Sequence, residues 1–166
     1  ISKGKIKEDK KVWEVANWIA NKGTPAHLQK LLGLSLQTDS VSQQHAYLNA
    51  MLTAKKIRKI NPSGNLQPVM QFLKSDNDTV WSTAVELAGL WKLESARANL
   101  ETTLKQSESK QVRKNAAINS LIAMGGEKTR KFFDEQIQNP QLSYEFKVIL
   151  IKGQMRIQPQ LAARRA

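Results

Sequence analysis

Two histidines, His27 and His45, and fourteen acidic side chains are the titratable material from which this 166-residue chain would have to build a catalytic centre. The histidines fall on different predicted helices, with no acidic ligand at helical spacing. They therefore read as residues of a surface or half-buried helix face, not as metal ligands or bases. Two close acid pairs stand out, Asp76 with Asp78 and Asp134 with Glu135. The first pair is expected to cap a helix starting at Thr79, because a carboxylate there accepts free backbone N–H groups and favours the helix dipole. The second is expected on solvated helix surface. A single carboxylate in an aromatic-walled cleft is the catalytic design the acids leave open. Gly125 and Gly126 are followed by Glu127 with no Lys-Ser or Lys-Thr pair, so they do not make a phosphate loop. The absence of cysteine excludes disulfides, thiolate metal sites and cysteine nucleophiles within this sequence. No cofactor is expected.

Recognition chemistry is better supplied. Four tryptophans, Trp13, Trp18, Trp81 and Trp91, offer faces for stacking or for a partner's apolar anchor. Trp91 lies on an apolar stripe with Ala84, Leu87 and Ala88 and is expected in the core, whereas Trp81, which follows the core position Val80, is a candidate for exposure. Basic clusters occur at Lys55, Lys56, Arg58 and Lys59; at Lys110, Arg113 and Lys114; at Lys128, Arg130 and Lys131; and at Lys147, Lys152 and Arg156. The candidate binding surface is Trp81, Lys110, Arg113, Lys114, Lys147, Lys152 and Arg156. It would suit an acidic protein surface, a neighbouring domain of the same polypeptide or a phosphate backbone.

The net charge of +12 is unevenly spread. Residues 1–60 carry 11 basic and 4 acidic groups (+7), residues 61–108 carry 4 and 6 (−2), and residues 109–166 carry 11 and 4 (+7). Charge at two ends of a linear stack of helices, several layers of roughly 8–10 Å apart, is separated by more than a Debye length.

The elements that must position these residues are helices. A phrase of valine followed by small and apolar positions recurs about every 32 to 33 residues, as Val80, Ala84, Leu87, Ala88, Trp91 and as Val112, Ala116, Ala117, Leu121, Met124. Such a unit cannot bury its stripe alone, so repetition predicts stacking. Order is expected from Val12, where Val12, Trp13, Val15, Ala16, Trp18 and Ile19 have helical spacing. Thr24 with Pro25 then supplies an N-cap and a first-turn proline. Helices are predicted over 26–36, with Leu28, Leu31, Leu32 and Leu34 as its apolar face, and over 43–56, 66–74, 79–93, 95–106, 110–124, 128–138 and 141–156, the last ending early or kinking at Gly153. Asn61, Pro62, Ser63 and Gly64 make the clearest turn, and no segment has strand period.

The predicted organisation is a basic start over 1–11, one repeat domain over 12–157 and a basic tail over 158–166. The best apolar run, Phe146 to Ile151, is too short to span a bilayer and contains Lys147, so no membrane insertion is expected. The start at Ile1 without methionine suggests a segment of a longer polypeptide. Cytoplasmic and exported locations both suit the composition.

Val112, Arg113, Ala116, Ala117, Leu121 and Met124 followed by Gly125 resemble the second helix of a HEAT-like repeat. Thr79 to Lys92 is similar, with Trp81 where the arginine would stand. The resemblance covers Leu66 to Gln138. It implies an all-α, right-handed α-α superhelix of about four antiparallel helix pairs. The second helices would line the concave face, with Lys110, Lys114 and Lys147 on it, and Arg113 would pair with an acidic turn residue such as Glu108 or Asp78. Similar repeats occur in scaffolds, in DNA-glycosylase-like proteins and in exported bacterial proteins, where they join a propeller to a cytochrome domain. The function expected is non-catalytic protein binding or scaffolding. The alternatives are a nucleic-acid-binding or repair module and a spacer domain in an exported multidomain redox enzyme.

Overall fold

The first sharp structural signal in the chain is Thr24-Pro25, and a computed structural model, which describes residues 3–106 and 108–157, shows why. Thr24 is extended, its hydroxyl accepts from the His27 amide, and the His27 ring accepts from the Thr24 amide. This reciprocal cap starts α2 (Pro25–Gln37) directly after α1 (Lys3–Lys22). The helix thus begins well before Val12. Next come α3 (Val41–Thr53), a π turn (Ala54–Arg58) and a 3-10 segment (Gln67–Lys74). Then follow α4 (Asp78–Leu90), a 3-10 turn (Glu94–Ala96) leading into α5 (Arg97–Lys105), α6 (Gln111–Met124), α7 (Gly126–Gln138) and α8 (Tyr144–Ile157). No strand occurs among the described residues.

Packing is between neighbours. Helices α3, α4, α6 and α8 form a row in which each packs on the next. Behind them α2 packs on α3, the 3-10 segment on α4, α5 on α6 and α7 on α8, while α1 closes the row against α3. The apolar stripe of the row is buried as its spacing predicts, through Ala84, Leu87 and Ala88 in α4, Ala117, Ile118 and Leu121 in α6, and Leu150 in α8. Trp91 and Met124 are also buried. The turn at 61–64 is tied to α2, with the Ser63 amide donating to the Pro25 carbonyl and the Gly64 amide to Gln29 Oε1. Gly125 and Gly126 both have positive φ, which lets α7 start directly after α6 ends.

Several local features recur in the structure at a spacing of 33 residues. The N-caps of α4 and α6 are Asn77 and Lys110, 33 positions apart. A further 33 positions on, the Ser143 hydroxyl accepts from the Phe146 amide at the start of α8. In this phase Val80 corresponds to Arg113, not to Val112. That corrects the expectation for Val112, which is 49% exposed because it stands one position off the buried stripe. A second motif obeys the same period. Arg97 pairs with Glu94 and Glu101 at the start of α5, and Arg130 pairs with Glu127 and Asp134 at the start of α7.

Three local expectations are revised. Asn77, not Asp76 or Asp78, caps α4, because its side-chain oxygen accepts from both the Thr79 and Val80 amides. Leu34, expected on the apolar face of α2, is exposed. Helix α8 continues through Gly153 to Ile157, so the glycine does not end it early. Instead Gly153 is buried where a Cβ would come within 2.9 Å of Ile122 Cδ1 and 3.0 Å of Phe133 Cε2.

Candidate functional site

The seven residues singled out for binding separate into two seams of the helix row. The α4/α6 seam takes Trp81, Lys110 and Arg113. Asp78, in the first turn of α4, accepts from Arg113 Nε and from Lys110 Nζ, both at 2.7 Å. The guanidinium also reaches backward through Nη2, which donates to the Ser75 carbonyl at 2.9 Å and to the Asp76 carbonyl at 3.1 Å. Hydrogen bonds from Lys110 and Arg113 hold the Asp78 carboxyl below its ordinary pKa. Arg113 is thus a latch between α6 and α4, neighbours in the row, paired with one of the two acids expected for it. Trp81 lies beneath it, with the guanidinium carbon 5.0 Å from the ring and the indole N–H donating to the Leu73 carbonyl. At 2% exposure Trp81 cannot stack on a partner, which corrects its place in the candidate surface. The Arg113 guanidinium lies over one face of the ring, and the Leu73 carbonyl of the 3-10 segment meets its N–H edge.

Lys114 belongs to the α6/α8 seam, where its ammonium lies 5.9 Å from the Phe146 ring. That contact is the previous one with partners exchanged. At the first seam the earlier helix brings the aromatic ring and the later helix the cation. At the second the earlier helix brings the cation. Position 81 corresponds to 114 and position 113 to 146 under the 33-residue period. Lys147 follows Phe146 and is half-buried. Of the three lysines expected on one inner face, Lys110 is paired with Asp78, Lys114 lies near Phe146 and Lys147 is half-buried.

Lys152 and Arg156 do come together with other side chains. They lie one turn apart on α8 and line a groove of about 270 Å3 between α6 and α8. Ile118, Ile122, Ile149 and Gly153 give the groove an apolar lining, and Asn115 and Asn119, one turn apart on α6, stand opposite the two cations. Gln111 Nε2 donates to Asn115 Oδ1, which leaves the Asn115 amide hydrogens directed elsewhere. Lys152, Arg156 and Asn119 are exposed, and neither cation makes an ion pair among the described residues. The asparagines were not singled out from sequence. Their signal was present as two polar residues at i, i+4 flanking the apolar pair Ile118 and Ile122.

Other chemistry-bearing groups have structural partners. The Trp13 ring meets His45 edge-on, with centroids 5.2 Å apart, and burial lowers the His45 pKa. Asp134 is not simple solvated surface: besides Arg130, it accepts from Gln154 of α8 at 2.8 Å. Lys56 pairs with Glu86, and Arg58 donates to the Ala20 carbonyl, so part of the basic cluster at the π turn joins helices. Trp18, 61% exposed on α1, is at the other end of the row from the groove. Among the described residues no group of three or more His, Asp and Glu side chains gathers, and no helix is long and apolar enough to cross a membrane.

No protein-family model matches the chain, and no curated protein matches it.

Proposed function

We propose that this chain is a HEAT-like repeat module. In this reading α3, α4, α6 and α8 form the inner row of an α-α superhelix, and the module works without catalysis by binding an acidic segment of a partner protein. The recurrence of caps, buried stripe and Glu-Arg-acid motif at one 33-residue period supports the repeat reading, since neighbour-only packing of like units is what a solenoid is.

The observation that carries the binding reading is the α6/α8 groove. It offers an apolar lining, two amides and two cations, but no carboxylate, histidine or hydroxyl nucleophile. A display library of random acidic and basic peptides, selected against the chain, tests the reading. Enrichment of acidic sequences is the expected outcome. Turnover of any substrate that disappears on substituting a single carboxylate would overturn it. So would binding to single-stranded or duplex DNA with a steep loss of affinity in salt and no peptide enrichment. The nucleic-acid alternative is less well supported by the central cations, because Lys110 and Arg113 share the Asp78 carboxylate, which cancels one of their two charges, and Lys128 lies 3.5 Å from Glu94.

A further inference from the structure

The groove has a size and a polarity that narrow what it accepts. Its volume of about 270 Å3 falls below the ~300–1,000 Å3 of sites that enclose whole small molecules, and suits a single large aliphatic or aromatic side chain. Its apolar part is formed by Ile118 and Ile122 on α6 and Ile149 on α8. This lining exists because Gly153 lets α8 approach Ile122 and Phe133; a side chain at 153 would fill the space from within. Polar groups stand on the two sides with different chemistry. Asn119 combines a donor and an acceptor in one planar amide, the complement of a peptide main chain, and Asn115, one helical turn away with its Oδ1 accepting from Gln111, adds amide donors. Lys152 and Arg156 present only donors and full positive charge.

We infer that the α6/α8 groove binds an extended peptide segment of a partner protein that carries one large apolar side chain next to one or two carboxylates. The apolar side chain enters between Ile122 and Ile149. The asparagines hold the main chain, and Lys152 with Arg156 take the carboxylates. Charge complementarity favours this occupant over a basic or neutral segment. The cations have no acidic partner within ion-pair distance among the described residues, and Asp134 of α7, which packs on α8, is occupied by Arg130 and Gln154. The inference rests on the protein-binding reading and deepens it by assigning the site and the motif.

The test is fluorescence anisotropy with labelled ten-residue peptides containing Leu-Asp-Glu, Ala-Asp-Glu, Leu-Asn-Gln or Leu-Lys-Lys at the centre, against the full 166-residue chain. Binding should be ordered Leu-Asp-Glu first, with the alanine, amide and lysine versions each weaker by about tenfold or more, a difference of about 1.4 kcal/mol per tenfold. The double variant K152E/R156E should lose the Leu-Asp-Glu peptide and gain the Leu-Lys-Lys peptide. Such a reversal cannot come from unfolding, and both side chains are exposed, so the fold is expected to persist. Asn119→Leu should weaken every peptide by a similar factor, without changing their order. If the wild-type chain binds acidic peptides from the library but K152E/R156E binds them equally well, the groove assignment is overturned and the protein-binding reading stands. If no peptide binds while duplex DNA does, both fail. A dimer that forms through this face, seen as loss of self-association in K152E/R156E, would overturn the peptide assignment in favour of a second copy.

Discussion

The α4/α6 and α6/α8 seams are built from corresponding positions and come out differently. At the first, Gly89 of α4 faces Ser120 of α6; at the second, Ile122 of α6 faces Gly153 of α8. These are the same pair of positions displaced by 33 residues, with the glycine moved from the earlier helix to the later. The cation and the aromatic ring are exchanged in the same way, from Arg113 over Trp81 to Lys114 over Phe146. The ionic latch is not repeated, because Asp78 is replaced at the corresponding position by Gln111. One seam is therefore closed by backbone contact and charge. The other is held by apolar side chains and leaves a groove. A repeat conserves where helices touch more strongly than what they touch with, and function can occupy the difference.

The largest expected effect tests the stripe that both seams share. Leu121 is fully buried on α6, and Leu121→Ala should cost about 2–5 kcal/mol through lost transfer energy and the cavity left behind. Urea denaturation with an unchanged slope measures it. A loss below about 1 kcal/mol would mean that α6 does not present this face to the core.

Next in size is a paired glycine substitution that sets the seams against each other. At Gly89 a new Cβ would sit 2.4 Å from Ser120 Oγ and 2.7 Å from both Ser120 Cα and its carbonyl oxygen, and backbone cannot yield. Gly89→Ala should destabilise by about 1–3 kcal/mol. At Gly153 the close atoms belong to side chains and not to backbone: the end of Ile122, which can rotate, and the buried Phe133 ring at 3.0 Å, which must give slightly. The roughly 0.8–1 kcal/mol gained by replacing glycine inside a helix then offsets much of the strain. Gly153→Ala should therefore cost less than Gly89→Ala while narrowing the groove. Equal costs at the two sites would erase the distinction between the seams.

A smaller pair addresses the cations. Arg113→Lys keeps the charge but cannot reach Asp78 and the Ser75 and Asp76 carbonyls together, so a loss of about 1–2 kcal/mol is expected. Lys114→Ala removes one ammonium near the limit of cation–π reach and should cost less than about 1 kcal/mol. Thermal melts of the two variants side by side decide it; a larger loss at Lys114 would reverse the assignment of the latch.

What could be read in advance follows a physical division. Thr24-Pro25, Gly125-Gly126 and the stripe through Ala84, Leu87, Ala88, Ala117 and Leu121 were legible because caps, positive φ and helical burial are encoded within one turn or one helix. Val112 and Trp81 were misplaced for the opposite reason. Val112 repeats Val80 at 32 residues, but the helices repeat at 33, and one residue rotates a side chain by about 100° around the axis. The burial of Trp81 depends on Arg113, 32 positions later, and on a carbonyl of the 3-10 segment. The groove needed two helices and the glycine that brings them close. One long-range signal was available: Glu94, Arg97 and Glu101 recur as Glu127, Arg130 and Asp134, a charged copy of the period that apolar patterning blurred.

The smallest expected effect uses that charged copy to compare the outer helices across the same two units. Arg97 donates to both oxygens of Glu94 at 3.0 Å, and Lys128, from α7, reaches Glu94 Oε2 at 3.5 Å. Glu127 is held by Arg130 of its own helix. Hydrogen bonding from Arg97 carries the Glu94 pKa from its ordinary 4.5 down to about 2, while Arg130 lowers that of Glu127. A carboxylate whose pKa is lower in the folded state stabilises the fold above its ordinary pKa and loses that contribution as pH falls through the folded value. The wild-type melting temperature should therefore decline between about pH 4.5 and pH 2, and Glu94→Gln should flatten part of that decline. Because Glu94 is largely exposed, screening keeps the difference modest. Glu127→Gln serves as the comparison, since it removes only a contact within one helix. If it flattened the acid limb more than Glu94→Gln, the link between α5 and α7 would contribute nothing beyond the local pair, and the first unit would lose its claim to be the more tightly latched.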